Sequence, residues 1–194
     1  FWDEEVVLKP SGIGGGNWPP SSYNPRTALL YTCSNDLMGV FLRTHEQEPI
    51  AGKKYTNGRS GGTPIPLNGV FSAMDMTTNK VVWSQRWKDS CWSGSINTAG
   101  DLVFVGRNDG DLTALDSKTG DQLWNFQTGA GVNAPATTFE HRGKQKVVVY
   151  SAGNLFAGTP SGDSVWLFSL DGKMGPGRAP GSDFIPSVAC MSRR

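Results

Sequence analysis

Hydrophobic and polar positions in this chain change over in short runs of strand length, separated by polar turns. Between Thr98 and Trp124 two alternating runs are joined through Asn108-Asp109-Gly110, and the second leads to a third through Lys118-Thr119-Gly120. Short connections that carry Gly, Asn or Asp are what tight antiparallel hairpins need, because these residues reach the backbone angles that such turns impose. Helical periodicity is nearly absent, so the pattern predicts an all-β chain.

The pattern also repeats. Ala73, Asp75, Thr78 and Trp83 recur as Ala114, Asp116, Thr119 and Trp124, each displaced by 41 residues. A period of about 40 to 45 residues, with a few strands in each unit, is the signature of propeller blades. A weaker copy, Leu167-Phe-Ser-Leu-Asp171, places its Asp 55 residues after Asp116, and the Gly/Pro-rich stretch from Asn154 to Gly162 absorbs the excess. A fourth hairpin is expected from Ala28–Cys33 with Met38–Arg43. The fold class predicted is all-β, a partial β-propeller of about four blades.

Composition bears this out. Among 194 residues, 25 Gly and 12 Pro stand against 37% hydrophobic residues, a balance suited to many short strands with tight turns. An open arc of blades leaves unpaired flanks, so the chain is expected to need either further blades from the same precursor or a partner chain. Phe1 is not an initiator Met, and a missing leader or N-terminal half is expected. No run of 18 apolar residues suggests a membrane span. The net charge of +1 gives no bulk reason to invoke nucleic acid.

Residues 1–171 read as blades and 172–194 as an irregular tail or linker. The 44–64 segment reads as a polar excursion too long for a hairpin turn. Three cysteines, Cys33, Cys91 and Cys190, are an odd number without metal-ligand spacing, and they are expected as buried or unpaired thiols, Cys190 being able to pair outside the chain. His45 and His141 read as loop or surface residues, Arg193-Arg194 as a solvated end, and Asn108-Asp-Gly-Asp111 as a hairpin turn and not a Ca²⁺ loop.

Three blocks carry a resemblance: Gly15-Gly-Asn-Trp-Pro-Pro-Ser-Ser-Tyr-Asn-Pro-Arg-Thr-Ala-Leu-Leu-Tyr31, the stretch from Trp92 to Thr128, and Ala134-Pro-Ala-Thr-Thr-Phe-Glu-His-Arg-Gly-Lys-Gln-Lys-Val-Val-Val-Tyr150. With the repeated Ala-x-Asp-x-x-Thr phrase ending in Trp, they make the chain resemble the C-terminal half of the pyrroloquinoline-quinone-dependent (quinoprotein) alcohol dehydrogenases, eight-bladed propellers. The resemblance implies a tryptophan-docking role for Trp83 and Trp124, whose indoles would pack between blades. It also implies alcohol oxidation with quinone as cofactor, electrons passed to a cytochrome c, and a periplasmic or secreted location. The family's catalytic base and Ca²⁺ ligands belong to the N-terminal half, so no catalytic and no metal residue is expected in this chain.

The cofactor-binding candidates are Asn17, Trp18, Trp92, Asn154 and Leu155. Asn17-Trp18 follows Gly14-Gly-Gly16, which lets backbone approach a flat ligand, and precedes a stiff Pro pair. Taken alone, the same residues read as a capped turn with a packed Trp. Pro19-Pro20 excludes the helix of a dinucleotide fingerprint. The resemblance implies that Asn17 hydrogen-bonds the quinone and that Trp92 faces the same pocket, though Trp92 reads equally as channel filling. Gly153-Asn154-Leu155 stands where relatives carry Gly-Trp. That departure favours a branch acting on unusual or bulky alcohols, or a degenerate site. Two other readings stay open: a non-catalytic propeller that serves as a protein-binding scaffold, as in outer-membrane assembly, and a half-propeller that dimerises into a ring.

Overall fold

The computed structural model describes residues 2–44, 48–65 and 68–181, and every regular element among them is a β-strand. In chain order these are β1 (Val6–Leu8), β2 (Ser22–Asn24), β3 (Leu29–Asp36), β4 (Gly39–Arg43), β5 (Gly58–Gly62), β6 (Asn68–Asp75), β7 (Lys80–Trp87), β8 (Ser95–Asn97), β9 (Leu102–Gly106), β10 (Asp111–Asp116), β11 (Gln122–Gln127), β12 (Thr137–His141), β13 (Lys144–Ser151) and β14 (Ser164–Ser169). They form four antiparallel sheets. Three follow one another as blades, β2-β3-β6-β7, β8-β9-β10-β11 and β12-β13-β14, while β1-β4-β5 is a separate small sheet beside the first blade.

The fourth sheet is therefore built differently from the hairpin expected of Ala28–Cys33 with Met38–Arg43. β3 pairs along its whole length with β6, Leu29 opposite Asp75 and Asp36 opposite Asn68, and β4 turns away to pair with β1 and β5. β3 holds the longer apolar alternation, and β6 supplies a partner of equal length. The polar excursion contains β5, and the segment from Gly39 to Gly62 is an insertion between the second and third strands of the first blade.

Alternation decides what faces the neighbouring blade. In β3 the buried set is Leu29, Tyr31, Cys33 and Asn35, with less buried residues between them. The first three pack with Phe71, Ala73, Trp87, Cys91, Val103, Val105 and Leu115 in one core between the first two blades. A second core, including Phe104, Leu112, Val132, Val147 and Val149, lies between the second and third. Full burial of a side chain such as Phe71 contributes about 1.5–3 kcal/mol.

The 41-residue repeat is a structural repeat. Ala73 lies opposite Trp83 with a bulge after Ala73, and Ala114 lies opposite Trp124 with a bulge after Ala114. The turns between third and fourth strands share a cap: Asp75 Oδ1 accepts the N–H groups of Thr77 and Thr78, as Asp116 Oδ1 accepts those of Lys118 and Thr119. With the Thr77 hydroxyl, which also donates to Asp75 Oδ1 and is the leading cause there, these bonds favour the ionised carboxylates and hold both groups below the usual Asp range, the Lys118 N–H leading at Asp116.

One carbonyl joins the first two blades. Ser117 O accepts the Tyr31 hydroxyl at 3.1 Å and the Trp83 indole N–H at 3.1 Å. Two aromatic side chains can thus be buried without orphaning their polar ends. Trp166 Nε1 donates in turn from the third blade to Thr128 O of the second.

Two cysteines correct the expectation of unpaired thiols: Cys33 and Cys91 form a disulfide, with Cα atoms 5.3 Å apart. Their separation of 58 residues hides the pair in a linear reading. Blade stacking places the inward face of β3 against the connection that leaves the same blade. Cys190, His45 and Arg193-Arg194 lie outside the described residues.

Candidate functional site

Antiparallel order sorts the connections to two ends of the blades. Turns between first and second strands, and between third and fourth, lie at one end. Connections between second and third strands, and from each blade to the next, lie at the other. Asn17 and Trp18 lie in the segment leading into β2, Trp92 in the one leading into β8, and Asn154 and Leu155 between β13 and β14. All five candidates therefore share one end of the assembly.

The first strands of the three blades converge there. Ser95 N–H donates to Pro20 O at 3.1 Å, and the hydroxyls of Ser22 and Ser95 are 3.0 Å apart. A Cβ on Gly94 would stand 2.5 Å from Pro20 Cγ and 2.8 Å from Pro135 Cβ, so only glycine fits between the two prolines. Pro20, Gly94 and Pro135 thus occupy corresponding places, and the residues two before them, Trp18, Trp92 and Asn133, form a series across successive blades.

Trp18 and Trp92 stack, with ring centroids 4.4 Å apart and planes 16° from parallel. Trp92 is 7% exposed and Trp18 is 50% exposed. The two indoles are in contact with each other, so a planar ligand has no room between them; the open surface belongs to Trp18, with Trp92 as its backing. Asn17 Nδ2 donates to Ile13 O at 2.7 Å, closing the glycine loop on itself and leaving its amide oxygen outside that bond.

The loop itself is tied down. Ser11 N–H donates to Leu37 O at 2.8 Å, and Asn35 N–H donates to Gly15 O at 2.6 Å. Lys9 and Arg86 both pair with Asp36, whose carboxyl they hold below its usual range, Lys9 being the leading cause. Of the three glycines, Gly14 has φ of 78°, where other residues are strained. A Cβ on Gly16 would meet nothing within 4 Å. An open hollow of about 350 Å³ between Lys9, Asp36, Val70 and Arg86 adjoins Gly15. Its charges are already paired through Asp36.

The third blade contributes through a run of polar side chains. Asn108 Nδ2 donates to Ser90 O, Asn133 Nδ2 to Asn108 Oδ1, Thr159 Oγ1 to Asn133 Oδ1, and Asn154 N–H to Thr159 Oγ1, at 2.6–3.0 Å. Asn154 also caps its own turn, Oδ1 accepting from Phe156 N–H. The turn lifts Leu155 and Phe156 to 85% and 79% exposure. Asn108 does sit in the hairpin turn, and its side chain links three blade connections as well. Asn35 and Asn133 are the residues that the sequence alone does not single out, and Asn108 is legible there only as a turn residue. Asn35 could have been found as the one amide in the inward set of β3.

Among the described residues no three His, Cys, Asp or Glu side chains lie close enough together to hold a metal ion. No helix among them is long and apolar enough to cross a membrane.

Comparison with known proteins agrees with this architecture. The family described as outer membrane protein assembly factor BamB matches residues 65–176. The chain is 40% identical to quinoprotein alcohol dehydrogenase PedH of Pseudomonas putida over 75% of its own length and 25% of that protein. It is 34% identical to a quinoprotein ethanol dehydrogenase of Pseudomonas putida over 85% of its length and 29% of that protein. The structure of quinohemoprotein alcohol dehydrogenase from Comamonas testosteroni superposes with a TM-score of 0.78 at 26% identity, covering 92% of this chain and 29% of that one. The chain thus spans less than a third of each of these relatives, and its fold superposes on part of the quinohemoprotein structure. It belongs to the quinoprotein alcohol dehydrogenase family of β-propellers and corresponds to part of such a protein.

Proposed function

We propose that this chain supplies one wall of a pyrroloquinoline quinone site in an alcohol dehydrogenase, with the half-exposed indole of Trp18 as the surface on which the planar cofactor lies. The observation that carries this reading is the Trp18–Trp92 stack at the end of the blades that also bears Asn17 and the Asn154–Leu155 turn. A rigid, apolar platform beside backbone free of side chains at Gly15 and Gly16 suits a flat, polar-edged ring system, and Asn17 offers an amide for its oxygens. The quinone supplies the two-electron oxidising chemistry. This chain's residues bind and orient it.

The general base and the metal, Ca²⁺ in our reading, are supplied by residues outside these 194, in an N-terminal half of the propeller. The substrate is a small-molecule alcohol, of either ordinary or bulky kind, and the electron acceptor a cytochrome c. A periplasmic or secreted location is supported by the Cys33–Cys91 disulfide, since such bonds persist in oxidising compartments. The test is dye-linked alcohol oxidation by the full-length protein that carries these residues, with and without added quinone. Quinone-dependent oxidation is expected; its absence, with no quinone bound, would refute the reading. A non-catalytic scaffold is the second reading. It is favoured by the BamB description of the matching family and by Asn154-Leu155 standing where an indole is expected.

A further inference from the structure

Asn35 touches both halves of the aromatic wall through three separate bonds. Its backbone N–H donates to Gly15 O at 2.6 Å, two residues before Asn17. Its side chain accepts the Cys91 N–H at 2.8 Å and donates from Nδ2 to Cys91 O at 3.4 Å. The residue is 7% exposed, so water competes little for these bonds.

The pairing with Cys91 is specific in its effect. A side-chain amide that holds both the N–H and the C=O of one residue acts as a strand neighbour does, limiting φ and ψ at that residue. Cys91 directly precedes Trp92, so its ψ sets the direction in which the Trp92 backbone leaves. The disulfide from Cys33, two residues before Asn35 on the same face of β3, fixes where Cys91 lies but leaves its peptide planes free to turn. The space is tight as well: a Cβ on Gly69, beside this connection, would stand 2.4 Å from Asp89 O and 2.5 Å from Cys91 N.

We propose that Asn35 is the positioning residue of the wall, joining the glycine loop that carries Trp18 to the connection that carries Trp92 and thereby setting the stack of the two indoles. Its importance for cofactor binding rests on the reading of Trp18 as the quinone's platform; its control of the stack does not.

The two can be tested apart in the full-length protein. A stacked indole pair gives an exciton couplet in far-ultraviolet circular dichroism, identified as the signal lost in both Trp18→Phe and Trp92→Phe and kept in Trp2→Phe. Asn35→Ala is expected to lose that couplet with the disulfide still formed, and to weaken quinone binding roughly tenfold, the usual scale for a displaced positioning group. Asn35→Asp keeps an acceptor for Cys91 N–H and loses the donor to Cys91 O, and is expected to weaken the couplet; it serves as the deciding variant should Asn35→Ala fail to fold. A wild-type couplet in the folded variant would overturn the proposal, as would loss of the couplet on reducing the disulfide while Asn35 is intact. Loss of the couplet in Asn35→Ala with unchanged quinone affinity would sustain the positioning role and refute Trp18 as the platform.

Discussion

The indole of Trp83, on the fourth strand of the first blade, lies directly on the α-carbon of Gly120 in the second blade. A Cβ at Gly120 would stand 2.7 Å from two ring carbons, and Gly120 has φ of 78°. Gly120→Ala therefore combines backbone strain with overpacking, and we expect a loss of about 2–4 kcal/mol in denaturant unfolding. Gly143→Ala is the control. Its φ is 72° and nothing lies within 4 Å of its added methyl, so only the backbone cost of about 1–2 kcal/mol is expected. Equal losses at the two positions would contradict the docking of Trp83 on the next blade.

The Cys33–Cys91 disulfide closes a loop across a separation of 58 residues. Chain-entropy arguments give about 4 kcal/mol for a loop of that size. Unfolding followed with and without reductant, or with Cys33→Ser/Cys91→Ser, should show a loss of that order. A change below about 1 kcal/mol would mean that blade packing alone holds Cys91 beside β3.

Asp75 and Asp116 are held below the usual Asp range because the following turn bonds their ionised forms, through the Thr77 hydroxyl and then its N–H at Asp75 and through the Lys118 and Thr119 N–H groups at Asp116. A carboxylate lowered in the fold adds stability above its unfolded value, near 3.8, and that stability is lost as pH falls from there through the folded value. Asp75→Ala and Asp116→Ala should each make the acid limb of the stability curve shallower, by up to one proton. Asp111 has the opposite sign, because burial raises it, and its protonation offsets part of the loss as pH falls. An acid limb unchanged by Asp116→Ala would contradict the shared cap.

The repeat was legible because it is local. Ala73 to Trp83 and Ala114 to Trp124 each lie within one hairpin, and the periodicity that reveals the blade also sets its register. The pairing of β3 with β6 was not, since an insertion separates them and hairpin logic favours the nearer β4. The Cys33–Cys91 bond and the Asn35 clamp stayed hidden for the same reason: both join positions that become neighbours only when the blade folds back on itself. Trp18 and Trp92 could be named as candidates, but their contact depends on the convergence of first strands around Gly94, which no spacing in the chain records.

The most direct measurement is the affinity of pyrroloquinoline quinone for the full-length protein carrying Trp18→Ala, set beside the unsubstituted protein and Trp2→Phe. Loss of an aromatic platform costs on the order of 1 kcal/mol or more. We expect tight binding by the unsubstituted protein and by Trp2→Phe, and about tenfold weaker binding by Trp18→Ala. Equal affinity in all three, or no quinone binding by any, would contradict the account.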